Sequence, residues 1–344
     1  MWRTLGVRSG FSNPSRSCHK HNSTMPAAAA RRMDGRLIAQ EIKDDIAETI
    51  RTGGAEVGFA RPGLAVLQVG DSPQSQAYIH NLRTACTEVG IKSFASQLPE
   101  TATLQAIIQA LRTFNGDESV HGIVVQLPLP KVRNHPRLAS SSLLASLFQK
   151  IRPETVLQEI SLEKDVDGLH PLNLAKLALD DFQPSFVPCT SRACLELLTR
   201  YKFQVERRKV VVIGCSNVVG LPTALLLQRH NATVTIVDKH TPKPAEIART
   251  ADILVAATGN ANLVRRNWIK PGAVVIDIGM NQVKDPSSEE GFRFVGDVCY
   301  EEAEKVATAI TPVPGGVGPI TIAMVLSNTL LAAQRRDHAK RKPL

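Results

Sequence analysis

The segment Pro312-Val313-Pro314-Gly315-Gly316-Val317-Gly318-Pro319-Ile320-Thr321 is the most informative stretch of this 344-residue sequence. Its first eight residues contain three prolines and three glycines. They exclude a helix or a central strand, because proline lacks a backbone donor and glycine adopts dihedrals that other residues resist. The apolar run that follows is typical of a helix. A rigid turn with few side chains would let a flat ligand approach the backbone closely, although its composition alone fits a plain helix-entry loop equally well.

The chain upstream of this loop alternates between apolar strands and amphipathic helices. The N-terminal part predicts strands over 64–69, 93–98 and 122–127 and helices over 37–50, 75–89 and 104–114, with Gly53-Gly54 ending the first helix. Such alternation favours a parallel sheet that is covered on both faces. The segment 134–160 interrupts the pattern and is interpreted as an insertion or a longer loop.

A second α/β unit of Rossmann type is predicted after a proline-containing break near residue 188. Its strands are expected at 209–213, 233–237, 253–257 and 274–278, and its helices at 193–201 and 221–230. A final helix over 321–336 would return to the first domain and place the Pro312 loop in a cleft between the two units. The expected fold class is therefore two-domain α/β, with domains over 34–187 and 188–316 and a C-terminal helix over 317–337.

The composition is that of a soluble globular protein, with 43% hydrophobic and 21% charged residues. No uninterrupted apolar run approaches the roughly 20 residues that cross a bilayer, so no membrane span is expected. The six cysteines show neither a CxxC motif nor metal-ligand spacing, which predicts reduced thiols and no metal site.

The net charge of +9 is concentrated at the N-terminus. Residues 1–33 contain six basic residues and no acid, so the remainder carries only about a third of the excess (9 − 6 = 3). A basic leader that contains serine and lacks acids is typical of an organellar transit peptide, and the alternative is a disordered basic arm. A basic excess confined to a leader gives little support to nucleic-acid binding.

A candidate dinucleotide turn lies between the strand 209–213 and the following helix. Gly214, Cys215, Ser216 and Gly220 stand where a tight turn and the free amides of a helix N-terminus could hold a pyrophosphate. At the end of the next strand, Asp238 could accept hydrogen bonds from a ribose diol and repel a 2′-phosphate, which favours NAD over NADP. Lys239 acts in the opposite direction, and Asp238 could also be an ordinary turn residue.

Together these segments resemble the methylene-tetrahydrofolate dehydrogenase/cyclohydrolase family. The resemblance covers nearly the whole chain after the leader and rests on motifs that occur in family order: Val69-Gly70-Asp71-Ser72 with Ser75 and Tyr78, Val125-Gln126-Leu127-Pro128-Leu129, Lys164-Asp165-Val166-Asp167-Gly168, Gly214-x-Ser216-x-x-x-Gly220-x-Pro222, Asp277-Ile278-Gly279-Met280-Asn281, Val295-Gly296-Asp297-Val298 and the Pro312 loop. It implies an N-terminal folate-binding domain, a Rossmann-type NAD(P)-binding domain, a homodimer and a folate cleft between the domains.

The resemblance also implies roles for individual residues. Tyr78 would stack on the folate, Gln126 would be the polar group at the centre of the cleft, and Asp167 would hold the pteridine. Pro314, Gly315 and Gly316 would contact the folate, while Gly214, Ser216 and Gly220 would line the dinucleotide. Without the family, Tyr78 could be a core aromatic, Gln126 a strand-end residue and Asp167 a turn former.

Two departures from the family pattern bear on activity. The family has a lysine four residues after the tyrosine, whereas this chain has Leu82, and the adjacent Arg83 projects about 100° around the helix. Many NADP-dependent members have arginine after the first glycine of the cofactor loop, whereas this chain has Cys215. Hydride transfer chiefly needs alignment of two bound molecules, but hydrolysis needs a tuned acid–base group.

We therefore expect an organellar enzyme that oxidises methylene-tetrahydrofolate with NAD, with cyclohydrolase activity in doubt. A mitochondrion is expected and a plastid is the alternative. Two other interpretations stay open, namely a fully bifunctional enzyme in which another group replaces the lysine, and a weakly catalytic paralogue that acts as a folate-binding partner.

Overall fold

A computed structural model describes residues 29–56, 61–129, 151–288 and 291–341. Its strands are β1 (Arg31–Arg32), β2 (Gly63–Val69), β3 (Lys92–Leu98), β4 (Gly122–Val125), β5 (Lys209–Ile213), β6 (Thr233–Val237), β7 (Ile253–Ala256), β8 (Val274–Asp277), β9 (Asn281–Lys284), β10 (Phe292–Val295) and β11 (Ala309–Ile310). Its helices are α1 (Arg36–Glu56), α2 (Pro73–Val89), α3 (Leu104–Gly116), α4 (Pro153–Leu157), α5 (Pro171–Ala178), α6 (Cys189–Arg200), α7 (Gly220–Arg229), α8 (Pro244–Ala248), α9 (Tyr300–Ala303) and α10 (Val317–Arg341).

The N-terminal domain is built on a three-stranded parallel sheet in the order β3-β2-β4. All seven residues of β2 are buried, as expected for a central strand that is covered on both faces. One core cluster lies between this sheet and α1, α2 and α10, while a second lies on its other face under α3 and α4. The sheet thus presents the carboxyl ends of β2 and β4 to one edge of the domain.

The C-terminal domain contains a six-stranded parallel sheet in the order β1-β11-β8-β7-β5-β6, with β9 and β10 forming a separate antiparallel hairpin. The strand that follows β5 in sequence, β6, lies on one side of it, and β7 lies on the other. The order therefore reverses between β5 and β7. In open α/β sheets, ligands bind at the carboxyl ends of the strands at such a switch point.

Residues 31–33 were predicted to belong to the leader, but they lie in the C-terminal sheet and the core. Arg31 and Arg32 form β1, which pairs in parallel with β11 of the C-terminal sheet, and Met33 is fully buried. The basic composition of these residues concealed this role, because a two-residue edge strand leaves no periodicity in the sequence. The rest of the leader, residues 1–28, lies outside the described residues.

The long final helix α10 ties the two domains together. It packs against α1 of the first domain and against α6, which precedes the second sheet. It begins at Val317 rather than at the predicted residue 321, since Pro319 falls in its first turn, where proline is tolerated. Among the described residues it alone is long and apolar enough to pass a test for a membrane span, and 67% of its most apolar window is buried in the protein.

Other boundaries also differ from the predictions. Helix α1 continues through Gly53 and Gly54 to Glu56, because its packing against α10 and α2 outweighs the modest cost of glycine in a helix. Strand β4 ends at Val125, two residues before the predicted end, where the chain turns into Gln126 and Leu127. Most of the predicted insertion 134–160 lies outside the described residues, and its described end contains α4.

Candidate functional site

A cleft of about 700 Å³ lies between the two domains. One wall is formed by facing sides of α1 and α2, and the other by the chain after β8 together with the Pro312 loop. The lining includes Tyr78, Asn81, Gln126, Asp277, Met280 and the whole run Pro312–Pro319. The Pro312 loop therefore forms part of the cleft, as predicted, and Pro314, Gly315 and Gly316 all line it.

The conformation of the Pro312 loop depends on glycine. Gly315 has a φ of 113°, in the left-handed region that favours glycine, and the Arg36 guanidinium lies against its backbone. The carbonyl of Gly316 lies so close to Gly35 that a side chain at Gly35 could not fit. The loop is thus held against the start of α1 with its backbone exposed to the cleft.

Tyr78 reaches the cleft from α2, whose N-terminus is capped by the Ser72 side chain accepting from Ser75 N. The phenol is half-buried, and burial together with the nearby Asp167 carboxylate raises its pKa well above the usual value. Asn81 and Ala85 continue the same face of the helix along the cleft. Tyr78 is therefore a cleft residue and not only a core aromatic.

Leu82 does not line the cleft. It is fully buried in the core that α2 shares with α1 and α10. The next residue, Arg83, is exposed and lines a separate polar groove on the opposite side of α2, together with His80. Neither residue therefore presents an acid–base group to the cleft.

Gln126 follows β4 and lines the centre of the cleft, where its backbone amide donates to Leu67 O at 2.9 Å. Its side-chain amide donates to Leu127 O at 2.7 Å, and its carbonyl oxygen accepts from none of the described residues. The end of β4 thus places a polar side chain in the lining of the cleft, and its role towards a folate stays a prediction.

The charged residues of the loop Lys164–Gly168 have two different roles. Lys164 and Asp165 stabilise the loop, whereas Asp167 lies at the base of the cleft. Lys164 donates from Nζ to three carbonyls at the end of α3, and the Asp165 carboxylate accepts from Leu169 N, His170 N and Asn173 Nδ2. Even so, burial raises the pKa of Asp165 to about 7. These two residues hold the loop in shape, which is the turn-forming role that the sequence left open.

Asp167 lies next to Tyr78 behind the cleft surface rather than among the lining side chains. Burial raises the pKa of Asp167 to about 6, and the neighbouring Cys189 thiol, which donates to Val166 O at 3.2 Å, lowers it by a smaller amount. No backbone or side-chain N–H of the described residues donates to this carboxylate. Asp167 is therefore an under-bonded acid at the base of the cleft.

Cys189 and Asn328 support this loop, and the sequence analysis did not identify either. Asn328, from the middle of α10, donates from Nδ2 to Val166 O at 2.8 Å and to Cys189 Sγ at 3.4 Å. Arg192 Nη1 in turn donates to Asn328 Oδ1 at 3.1 Å. A buried asparagine in an otherwise apolar helix was the one sequence signal that could have revealed the contact.

The candidate dinucleotide turn lies at the switch point between β5 and β7. Gly214 has a φ of 108°, and a side chain at this residue would overlap Ala257 O at the end of β7. Ser216 Oγ accepts from Val219 N at 3.2 Å and thereby shapes the entry to α7. The amides of residues 215–218 donate to no other described residue, so they are available to an anion such as a pyrophosphate.

Asp238 lies at the end of β6 beside this turn. Its Oδ1 atom accepts from His240 N and Thr241 Oγ1, which lowers the pKa of the carboxyl, while Oδ2 faces Cys215 Sγ at 4.0 Å. Lys239 and Cys215 are exposed. Gly214, Cys215, Ser216, Gly220, Asp238 and Lys239 are thus brought together around one turn, and Val219 connects this turn to the lining of the cleft.

Metal chemistry receives no support from the chain as far as it is described, since no group of three or more His, Cys, Asp or Glu residues could hold an ion there. The cleft instead offers an aromatic ring, an amide, an under-bonded acid and a glycine-rich backbone.

Comparisons with known proteins agree with this arrangement. Residues 33–167 match the catalytic domain of the tetrahydrofolate dehydrogenase/cyclohydrolase family, and residues 188–337 match its NAD(P)-binding domain. The chain is 51% identical over 303 residues to the mitochondrial bifunctional protein FolD 1 of Arabidopsis thaliana, covering 88% of this chain and 81% of that protein. It is 50% identical over 303 residues to the chloroplastic FolD 4 of the same plant, covering 88% and 79%.

Among solved structures, the Trypanosoma brucei N5,N10-methylenetetrahydrofolate dehydrogenase-cyclohydrolase, complexed with NADP and an inhibitor, is similar in fold. The TM-score is 0.80 at 39% identity, with 92% of this chain and 100% of that chain covered. The chain belongs to the tetrahydrofolate dehydrogenase/cyclohydrolase family.

Proposed function

We propose that this protein oxidises methylene-tetrahydrofolate to methenyl-tetrahydrofolate with a nicotinamide dinucleotide. The observation that carries the proposal is the junction of two sites: a cleft containing Tyr78, Gln126 and the Pro312 loop opens beside a glycine turn at the switch point of the second sheet. A folate in the cleft and a dinucleotide on the turn would meet between the domains. Such alignment is the main requirement of hydride transfer.

The dinucleotide fits residues of this chain. The unpaired amides after Gly214 would bind its pyrophosphate at the start of α7, and Asp238 would bind the adenosine ribose. When bound, its nicotinamide ring accepts the hydride. On the opposite side, Tyr78 would stack on the folate, Asp167 would hold the amino-pteridine edge, and Gln126 would present its free carbonyl oxygen to the reacting end.

NAD is the proposed cofactor, and NADP is a weaker alternative. The Asp238 carboxylate has its pKa lowered and so carries its charge at neutral pH, where it would repel a 2′-phosphate. The exposed Lys239 opposes this effect, but an exposed ion pair stabilises by only about 0–1 kcal/mol. Cys215, unlike arginine, supplies no charge for the phosphate.

Cyclohydrolase activity is proposed to be weak. The helix position that carries a lysine elsewhere in the family is occupied by Leu82, which neither donates nor accepts a proton and is fully buried. Lys43 is the one amine among the described residues that line the cleft, and it pairs with Glu88. No group in the described cleft therefore replaces the missing lysine directly.

A steady-state assay with separate readouts tests these statements. Formation of reduced dinucleotide from methylene-tetrahydrofolate is measured with NAD and with NADP, and loss of methenyl-tetrahydrofolate is followed without dinucleotide. Dehydrogenase activity with little hydrolysis supports the proposal, whereas both activities at comparable rates favour a fully bifunctional enzyme. Calorimetric binding of folate and NAD without turnover would instead support the partner interpretation.

The proposed compartment is a mitochondrion, with a plastid as the alternative, because residues 1–28 are basic and free of acids and similar proteins occur in both organelles. Fusion of residues 1–30 to a fluorescent reporter tests the import, and a cytosolic reporter would refute it. A homodimer is proposed from the family resemblance, and sedimentation of the purified protein measures its mass.

A further inference from the structure

Two buried carboxylates lie against each other beneath the cofactor side of the cleft. Asp277 ends β8 and Asp297 follows β10, with 3% and 0% of their surfaces exposed. Asp277 Oδ1 accepts from Gly279 N and Asp297 N, and its Oδ2 accepts from Val298 N. Both motifs were used in the sequence analysis to recognise the family, but neither was given a role.

The two segments interlock through their glycines. A side chain at Gly296 would overlap the Asp277 carboxylate, and a side chain at Gly279 would overlap the Asp297 carboxylate. The Asp277 carboxylate therefore lies against Gly296, which precedes Asp297. The Asp297 carboxylate lies against Gly279, which follows Asp277 by two residues. This reciprocal arrangement explains why both segments have an aspartate and a glycine within two residues of each other.

Asp297 extends the connection to the dinucleotide turn. Its Oδ2 accepts from Thr258 N and Gly259 N, and its Oδ1 accepts from Asn260 N and Asn281 Nδ2. The loop 258–260 follows β7 and begins directly against Gly214. The same carboxylate thus fixes one of the two loops at the switch point, while its partner Asp277 lines the cleft.

We propose that Asp297, braced by Asp277, is a positioning residue that sets the 258–260 loop for the nicotinamide dinucleotide. The kinetic part of this inference rests on the proposed dehydrogenase function, but the binding part does not. A carboxylate is required because all four contacts to Asp297 are N–H donors. An asparagine there would turn its NH₂ group towards N–H donors whichever way it flipped.

The test compares Asp297→Asn with Asp285→Asn, which makes the same chemical change in an exposed turn of the same domain. NAD binding is measured alone by calorimetry, as is folate binding, and kcat and KM are measured with both. We expect Asp297→Asn to weaken NAD binding about 10- to 100-fold. A buried polar atom that loses its hydrogen-bond partner costs a free energy that corresponds to about this factor in affinity. Folate affinity should stay within about twofold, and Asp285→Asn should change neither.

Asn281→Ala serves if Asp297→Asn does not fold. This variant removes the Asn281 Nδ2 donor to Asp297, but it places no new N–H group against the remaining donors. About a three- to tenfold loss of NAD affinity is expected. Unchanged NAD binding in both variants, or equal losses for NAD and folate, would overturn the inference. If the parent protein does not oxidise methylene-tetrahydrofolate but Asp297→Asn still loses NAD, the proposed function fails and the positioning role stands.

Discussion

Two carboxylates on opposite sides of the cleft have contrasting surroundings. Asp297, on the dinucleotide side, is buried and accepts four hydrogen bonds from N–H groups. Asp167, on the folate side, accepts no N–H hydrogen bond from the described residues, and the neighbouring Cys189 thiol donates to Val166 O at 3.2 Å. A carboxylate whose lone pairs are filled by its own chain can only hold that chain in place. One whose lone pairs are largely free can bind a ligand with complementary donors, such as an amino-pteridine.

The contrast predicts that Asp167→Asn is the most damaging change to activity. It would remove the charge that accepts from the pteridine amino group and ring nitrogen, and two charge-assisted hydrogen bonds amount to about 10²–10⁴-fold in kcat/KM. Stability should not fall. Because burial raises the pKa of Asp167 to about 6, its ionised form costs stability at pH 7, and a neutral asparagine removes that cost.

Asp165→Asn is the matched control, since it removes the same charge from the same loop. There the new NH₂ group would face at least one of the three N–H donors to the carboxylate, so a lower Tm is expected. The interpretation of Asp167 fails if Asp167→Asn keeps folate affinity within about threefold, or if it melts as early as Asp165→Asn.

The sequence predicted those parts of the site whose residues need a particular backbone. The Pro312 loop and the Gly214 turn have compositions that neither a helix nor a strand tolerates, so both could be predicted as loops from the sequence. The alternation of apolar strands and helices predicted the two parallel sheets, because strands that are buried on both faces need continuous apolar residues. Tyr78 and Gln126 reached the cleft as the family resemblance implied.

The sequence could not predict contacts that depend on distant partners. Arg31–Arg32 became an edge strand only because β11 offered an unpaired edge almost 280 residues later. The support of Val166 by Asn328 likewise joins segments 162 residues apart. Leu82 lies one helical turn after Tyr78, yet it is buried in the core and does not line the cleft, because α2 is packed on more than one face.

The second prediction concerns hydrolysis of the methenyl product. With Leu82 buried and Lys43, the one amine that lines the described cleft, paired with Glu88, the rate should lie near the uncatalysed one, a deficit of about 10²–10⁴-fold relative to a positioned acid–base group. Leu82→Lys should recover part of this activity. Because the new amine starts from a buried position, its pKa should fall towards the useful range while the Tm decreases.

Leu82→Met is the matched control, since it changes shape without adding a proton donor. It should retain dehydrogenase activity and gain no hydrolysis. Robust hydrolysis by the unmodified protein that survives His80→Ala and Arg83→Ala would show that another group performs the acid–base step.

The third prediction is a pH dependence of folate affinity. In its proposed role Asp167 accepts from the pteridine in its ionised form, and burial raises the pKa of this carboxyl to about 6. Affinity should therefore be lost as the pH falls through about 6, by up to about tenfold per unit below it. Calorimetry between pH 5 and pH 8 should show this inflection in the parent protein. Asp167→Asn has no such group, so an identical inflection in that variant would assign it elsewhere.

The smallest expected effect is the choice between NAD and NADP, since it depends on side chains at the exposed rim of the turn. Asp238→Ser removes the charge that would repel a 2′-phosphate and should shift the ratio of specificity constants towards NADP by about three- to tenfold. Lys239→Ala should shift it in the opposite direction, and by less, because its ammonium is exposed. The two variants shift this ratio in opposite directions from the value of the parent protein. Because each value is a ratio of specificity constants, an error in the absolute rates cancels. A higher specificity constant for NADP in the parent protein would refute the NAD preference. In that case Asp238 would act only as a turn residue, through the hydrogen bonds that its Oδ1 atom accepts from His240 N and Thr241 Oγ1.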